Sequence, residues 1–233
     1  MLIIFDCDGT LVDTEYLYCV SCSNLVKSVG IDYCTPEYAM NNFKGGMMSS
    51  TIKMLSKKHN VKFPENFLDI FIENALLLQE EHQKIIPNVE EVIRNIRENT
   101  DIAICVASNG ERKNVINSLK TANLDEFFDE NVVFTSADVS NPKPDPDIFL
   151  YVIENMGFSA EETVIIEDSI TGIKAAKAAN IDVIAFTGAI HDENDKKRAI
   201  IEMEKISPME IIDDFIHILD SLKISKNLAK QIA

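Results

Sequence analysis

Two hydrophobic patterns divide the chain. Short apolar runs recur at residues 2–5, 102–107, 132–134, 163–166 and 182–186. Such unbroken runs suit strands buried on both faces, as in the interior of a parallel sheet. From Ile86 onward they alternate with segments of helical periodicity. One opens at Pro87 and runs to about residue 98, a second covers residues 112–121, and a third follows Asp145-Pro146 with Ile148, Phe149, Val152, Ile153 and Met156 on one face. An Ala-rich helix spans residues 169–179, and Ser207-x-x-Glu210, with Pro208 in the first turn, reads as a capping box opening a last helix to Leu222. Alternating strand and helix implies right-handed crossovers and a parallel sheet.

Residues 15–83 follow a different rule. No strand pattern occurs there. Leu17, Val20, Leu25 and Val29 space as one helix face ending near Gly30, and Thr35-Pro36 reads as a cap and first helical residue. Phe43-Lys44-Gly45-Gly46 is a turn, Ile52 and Leu55 mark another helix, and Phe67, Ile70, Phe71, Ala75 and Leu78 form an i, i+3, i+4 stripe. The pattern therefore predicts an α/β fold. A doubly wound, Rossmann-like parallel sheet is built from residues 1–13 and 86–233, and a helical bundle of residues 14–85 is inserted after the first strand.

Composition narrows the partners. At 233 residues with 46% hydrophobic content, the chain has enough apolar material for such a core. The net charge of −16 argues against nucleic acid or an anionic membrane as partner. Residues 14–85 carry seven lysines and eight acidic residues, so nearly all of the excess lies in the remainder. Lys44, Lys53, Lys57, Lys58 and Lys62 crowd that insert; all but Lys44, beside two glycines, read as a solvated face. No apolar run reaches the roughly 18–20 residues of a membrane span, and the amino terminus lacks the basic-then-apolar order of a signal peptide. A cytoplasmic monomer with reduced thiols is expected. Cys19-x-x-Cys22 shares one helix face without a second pair at zinc spacing, which points to packing.

The candidate chemistry sits where strands end. Asp6 and Asp8 follow the first run two residues apart, so on extended backbone they face one side while Cys7 faces the other. Gly9 allows a sharp turn. Two carboxylates held together need a cation between them or a shared proton. One can act as nucleophile and become an aspartyl phosphate, and its neighbour can move protons as general acid and base. Mg²⁺ takes one or two carboxylates together with phosphate and water. Other strand ends bring Ser108-Asn109-Gly110, a hydroxyl with backbone N–H groups opening a helix, and Glu167-Asp168. Lys143 lies between prolines in Asn141-Pro142-Lys143-Pro144-Asp145-Pro146.

The run Asp6-Cys7-Asp8-Gly9-Thr10-Leu11-Val12-Asp13 resembles the first motif of the haloacid dehalogenase superfamily in its phosphatase form. Ser108-Asn109-Gly110, Lys143-Pro144-x-Pro146-x-x-Phe149 and Glu167-Asp168 with Ser169-x-x-Gly172 resemble the second, third and fourth motifs, in order. The resemblance implies Asp6 as nucleophile and Asp8 as general acid/base. It also implies Lys143 as a catalytic cation, Thr10, Ser108 and Asn109 at the phosphate, and Mg²⁺ held by Asp6, Asp8, Glu167 and Asp168. Asp8 would lend the metal its backbone carbonyl. The helical insert resembles the α-helical cap of the β-phosphoglucomutase-like branch, with the Lys44 loop reaching the substrate. Two departures bear on activity. Tyr18 stands where a mutase of this branch has a histidine, and Gly46-Met47-Met48-Ser49 stands where it has an arginine. The expectation is a Mg²⁺-dependent phosphatase of a small phosphorylated metabolite, similar to phosphogluconate and sugar-phosphate phosphatases, with a phosphosugar mutase as the alternative. A response-regulator receiver, a phospho-Asp switch, is about half this length and lacks both the insert and the Lys-Pro-x-Pro loop.

Overall fold

A computed structural model describes residues 1–43 and 48–223. The Lys44-Gly45-Gly46 turn, Met47 and the segment from Ile224 lie outside the described residues. Strand β1 (Leu2–Phe5) leads to β2 (Val12–Asp13), then to helices α1 (Glu15–Lys27), α2 (Pro36–Phe43), α3 (Met48–His59) and α4 (Phe67–His82). β3 (Lys84–Ile85) pairs antiparallel with β2. There follow α5 (Val89–Asn99), β4 (Ala103–Ser108), α6 (Arg112–Thr121), β5 (Val133–Thr135), α7 (Asp147–Met156), β6 (Thr163–Glu167), α8 (Ile170–Ala178), β7 (Asp182–Phe186), α9 (Glu193–Glu204), β8 (Glu210–Ile212) and α10 (His217–Ser221). The chain forms two compact units, one from Met1–Asp13 with the chain from Lys84 onward, the other from Thr14–Gln83.

The first unit is a six-stranded sheet in the order β5-β4-β1-β6-β7-β8, and every pairing is parallel. β1 lies between β4 and β6, where the strand order reverses. In doubly wound sheets ligands bind beyond the carboxyl ends of the strands at this switch point. β1 shows why its run is unbroken. Ile3 and Phe5 pack with residues of α5, α6 and α10 on one face, while Leu2 and Ile4 pack with those of α7, α8 and α9 on the other. Successive strand side chains alternate between faces, and helices cover both.

The second unit is helical. Cys19, Cys22, Leu25, Val26, Ile31, Cys34, Ile52 and Leu55 make its core, with Phe67, Ile70 and Phe71 packed against them. The Tyr38 N–H donates to Thr35 Oγ1 at 3.1 Å, which caps α2. All five cysteines are free and buried, and burial pushes the Cys22 thiol up to about 12, so Cys19-x-x-Cys22 is packing material.

One expected element is replaced. Ser207-x-x-Glu210 is not a capping box. Ser207 turns at φ +56, the Met209 N–H donates to Val183 O at 2.8 Å, and Glu210–Ile212 joins the sheet as β8 beside β7. A local cap signal is outweighed there by pairing along an open sheet edge. Helix α9 buries only Met203, leaving little apolar stripe to read in the sequence. Among the described residues, no helix is long and apolar enough to cross a membrane.

Candidate active site

The site grows from the carboxyl end of β1. The Asp6 N–H donates to Ile166 O at 2.9 Å, which holds the nucleophile candidate at the switch point between β1 and β6. Cys7 O accepts from the N–H groups of Thr10, Leu11 and Val12, winding the next residues into a tight turn, and the Cys7 side chain is fully buried in the core. Gly9 sits at φ +82, a conformation that favours glycine. A Cβ there would also lie 2.2 Å from Asp168 Oδ2, so the missing side chain is what lets the Asp168 carboxylate rest against this turn. Thr10 Oγ1 donates to Asp168 Oδ1 at 3.3 Å. Asp8 points toward the β4 loop, its Oδ2 3.8 Å from where a Gly110 Cβ would stand.

Lys143 closes the centre. Its Nζ donates to Asp6 Oδ1 at 2.6 Å, Glu167 Oε1 at 2.8 Å and Ala107 O at 2.9 Å, which uses all three ammonium hydrogens. Its Nζ lies 5.0 Å from the centre of the Phe149 ring, which accounts for the spacing Lys-Pro-x-Pro-x-x-Phe. Ser108 is buried, and its Oγ accepts from the Gly110 N–H at 3.0 Å, folding the loop that opens α6.

Three of the candidate side chains are engaged by neighbouring groups in the structure. Thr10 is fully buried with its hydroxyl donating to Asp168 Oδ1. Asn109 forms a reciprocal pair with the Lys143 backbone: Oδ1 accepts from N at 3.0 Å, and Nδ2 donates to O at 3.1 Å. The amide therefore fastens the lysine loop. Glu167 is 1% exposed. Its Oε1 accepts from Lys143, and its Oε2 accepts from Ser169 N at 2.7 Å and Ser169 Oγ at 2.9 Å. Both oxygens are therefore engaged, Oε1 by the Lys143 ammonium. Ser169 and Phe149 appear in the sequence only as motif companions, and their contacts become visible only in three dimensions. Lys44 lies outside the described residues. Tyr18 Oη accepts from Gln79 Nε2 at 3.3 Å and its ring centre lies 6.1 Å from that of Phe71, within the helical unit.

Charge sets the electrostatics. Four acids, Asp6, Asp8, Glu167 and Asp168, lie at or just beyond the ends of β1 and β6, and Lys143 contacts Asp6 and Glu167 among them. Burial pushes the Asp6 carboxyl up to about 8; Lys143 works against this, while Glu167 and Asp8 add to it. Burial alone would lower the lysine, but Asp6 and Glu167 outweigh it and raise Lys143 above the ordinary lysine range. Lys143 thus stays charged, and an anionic Asp6 calls for further positive charge. The oxygen donors fit a hard cation, with the Asp168 carboxylate drawn in over Gly9. Among the described residues no three His, Cys, Asp or Glu side chains converge into a cage. Mg²⁺ does not need one, since it keeps several waters and uses one or two carboxylates with substrate phosphate.

Comparisons with known proteins follow the same lines. Residues 3–186 match the family model described as haloacid dehalogenase-like hydrolase. The phosphorylated carbohydrates phosphatase of Thermotoga maritima is 31% identical over 215 residues, covering 91% of this chain and 96% of that protein. The 6-phosphogluconate phosphatase of Escherichia coli is 24% identical over 192 residues, covering 82% and 84%. A crystal structure of a haloacid dehalogenase-like protein from Agrobacterium tumefaciens superposes with a TM-score of 0.80 at 27% identity, covering 95% of this chain and 97% of that one.

Proposed function

The chain belongs to the haloacid dehalogenase-like hydrolase family, and from that premise we propose that it is a Mg²⁺-dependent phosphatase of a small phosphorylated carbohydrate. The observation that carries this reading is the junction of Asp6 with Lys143, 2.6 Å apart and nearly buried, with Asp8 two residues on. An anion flanked by a fixed cation and a proton carrier suits in-line attack on phosphorus.

Asp6 attacks phosphorus through one carboxylate oxygen, and the bond from phosphorus to the sugar oxygen breaks. Asp8 gives its proton to the departing oxygen. Asp8 then takes a proton from water, the water oxygen attacks the aspartyl phosphate, and inorganic phosphate leaves with Asp6 restored. The N–H groups of the Ser108 loop hold the phosphoryl oxygens as charge moves, while Lys143, its three hydrogens on Asp6, Glu167 and Ala107, holds Asp6 in place and offsets its charge. The Asp6 and Asp168 carboxylates and the Asp8 carbonyl would hold Mg²⁺, which when bound offsets the charge of phosphate and carboxylates. Glu167 and Asn109 keep Lys143 in place, and Thr10 keeps Asp168.

The Thr14–Gln83 unit acts as the substrate-selecting cap, with Lys44 as a donor to a substrate oxygen. The protein works as a cytoplasmic monomer. The Thermotoga and Escherichia relatives, named for phosphorylated carbohydrates and 6-phosphogluconate, support that substrate class. Tyr18, tied to Gln79, stands where a mutase would hold its histidine, which favours hydrolysis over phosphoryl return. The test is a panel of sugar phosphates, 6-phosphogluconate and p-nitrophenyl phosphate, read as phosphate release per second with Mg²⁺. Release from several carbohydrate phosphates is expected. β-Glucose 1-phosphate should yield phosphate and little glucose 6-phosphate, with or without glucose 1,6-bisphosphate. Bisphosphate-stimulated isomerisation would replace this reading with the mutase.

A further inference from the structure

Behind the reacting groups, a second layer determines where Lys143 stands. Glu167 is the least exposed of the acids at the site, and its carboxylate lies over the first turn of α8. The Ser169 N–H and Oγ–H both donate to Oε2, at 2.7 and 2.9 Å, while Ser169 Oγ accepts from the Gly172 N–H at 2.9 Å. A Cβ on Gly172 would fall 1.7 Å from Glu167 Oε1 and 2.6 Å from Oε2. The carboxylate therefore occupies the space a side chain at 172 would take. Glycine inside a helix is disfavoured relative to alanine, so helix stability does not explain this residue, whereas room for Glu167 does.

We propose that Ser169 and Gly172 are positioning residues: together they form a cradle that turns Glu167 Oε1 onto Lys143 Nζ and so sets the ammonium against Asp6. The catalytic consequence rests on the phosphatase reading, but the cradle itself does not. A merely structural role is available to Ser169, since its side chain caps α8. Asp192 supplies the matched control. It caps α9 through bonds to Asn194 N at 2.9 Å and Asp195 N at 3.0 Å, away from the site.

Ser169→Ala, Ser169→Thr, Gly172→Ala and Asp192→Ala are made in the full chain and compared by two readouts. The first is the ¹⁵N–¹H resonance of the Lys143 ammonium, assigned by its disappearance in Lys143→Met. The second is kcat and KM for p-nitrophenyl phosphate. Ser169→Ala should shift or broaden the ammonium resonance and lower kcat by about 10–100-fold, the range for loss of a supporting hydrogen bond, with KM changed by about twofold or less. Gly172→Ala should do the same or more, and Ser169→Thr should restore kcat to within about threefold. Asp192→Ala should lower Tm as Ser169→Ala does and move neither readout. An unmoved resonance and kcat in Ser169→Ala, with only Tm reduced, would overturn the cradle. If the wild-type protein releases no phosphate, the phosphatase reading fails, and the ammonium resonance still decides the cradle.

Discussion

Replacing Lys143 by methionine keeps the unbranched stem, one atom shorter, and removes the charge, which makes it the sharpest probe of the site's interior. The ammonium side chain is 2% exposed, and the Asp6 and Glu167 side chains it joins are 10% and 1% exposed. At an effective dielectric constant of about 20, contacts of 2.6 and 2.8 Å correspond to roughly 6 kcal/mol each. Most of that offsets the cost of taking three charges out of water. Removing one partner leaves that cost uncompensated, which destabilises a protein by about 3–5 kcal/mol. Burial already raises the Asp6 carboxyl to about 8 with Lys143 opposing it, and in Lys143→Met the folded-state Asp6 value rises further. A raised folded value contributes stability that is present at low pH and lost as pH climbs through it. Below about pH 8 Asp6 is protonated in both folded proteins, so the gap to wild type is steady there and widens only as pH rises past 8, where wild type stops losing stability and the variant does not. Urea unfolding followed by far-UV circular dichroism at pH 6 and pH 9 suits a chain without tryptophan. The reasoning fails if the variant loses less than about 1 kcal/mol at pH 9, or if the gap is the same at pH 6 and pH 9. Its kcat should fall about 10²–10³-fold, as for loss of one preorganised donor.

Asp168→Ala should raise the Mg²⁺ concentration for half-maximal activity by about tenfold or more, and chelator should abolish wild-type turnover until Mg²⁺ is restored; undiminished turnover in excess chelator would contradict the metal assignment. Lys196 holds the Asp213 carboxyl below its ordinary value through a 2.9 Å contact on the surface. A lowered folded value gives stability that is present above the ordinary carboxylate range and lost as pH falls through the folded pKa. Asp213→Asn should therefore lower Tm at pH 7 by at most about 2–4 °C, an exposed pair being worth up to about 1 kcal/mol, and should match wild type near pH 2 in differential scanning calorimetry.

The sheet was legible because its strands are buried on both faces, so Leu2–Phe5 and its partners read as plain apolar runs. β8 was hidden because Ser207-Pro208-x-Glu210 satisfies a local capping pattern, while its true partner, β7, is chosen by the open sheet edge. The candidate site was legible as a set of residues, since each lies at or just beyond the carboxyl end of a strand. Its internal division of labour was not. Thr10 finds Asp168 at a sequence distance of 158, Asn109 finds Lys143 at 34, and Lys143 finds Glu167 at 24. Hydrogen-bond partners so far apart leave no local pattern, so the contacts of Thr10, Asn109 and Glu167 become visible only in three dimensions. Gly172 shows the reverse: a glycine in a helix carries a long-range meaning only once the carboxylate above it is placed.

The measurement closest to the central claim is phosphate release by Asp6→Asn, a near-isosteric change that removes the nucleophile and keeps the shape of the β1 end. With saturating Mg²⁺ and p-nitrophenyl phosphate, kcat should drop by about 10⁴-fold or more, the scale seen when a covalent nucleophile is lost, while the circular dichroism spectrum stays that of the wild type. A folded Asp6→Asn protein turning over within about tenfold of wild type would contradict the aspartyl-phosphate route.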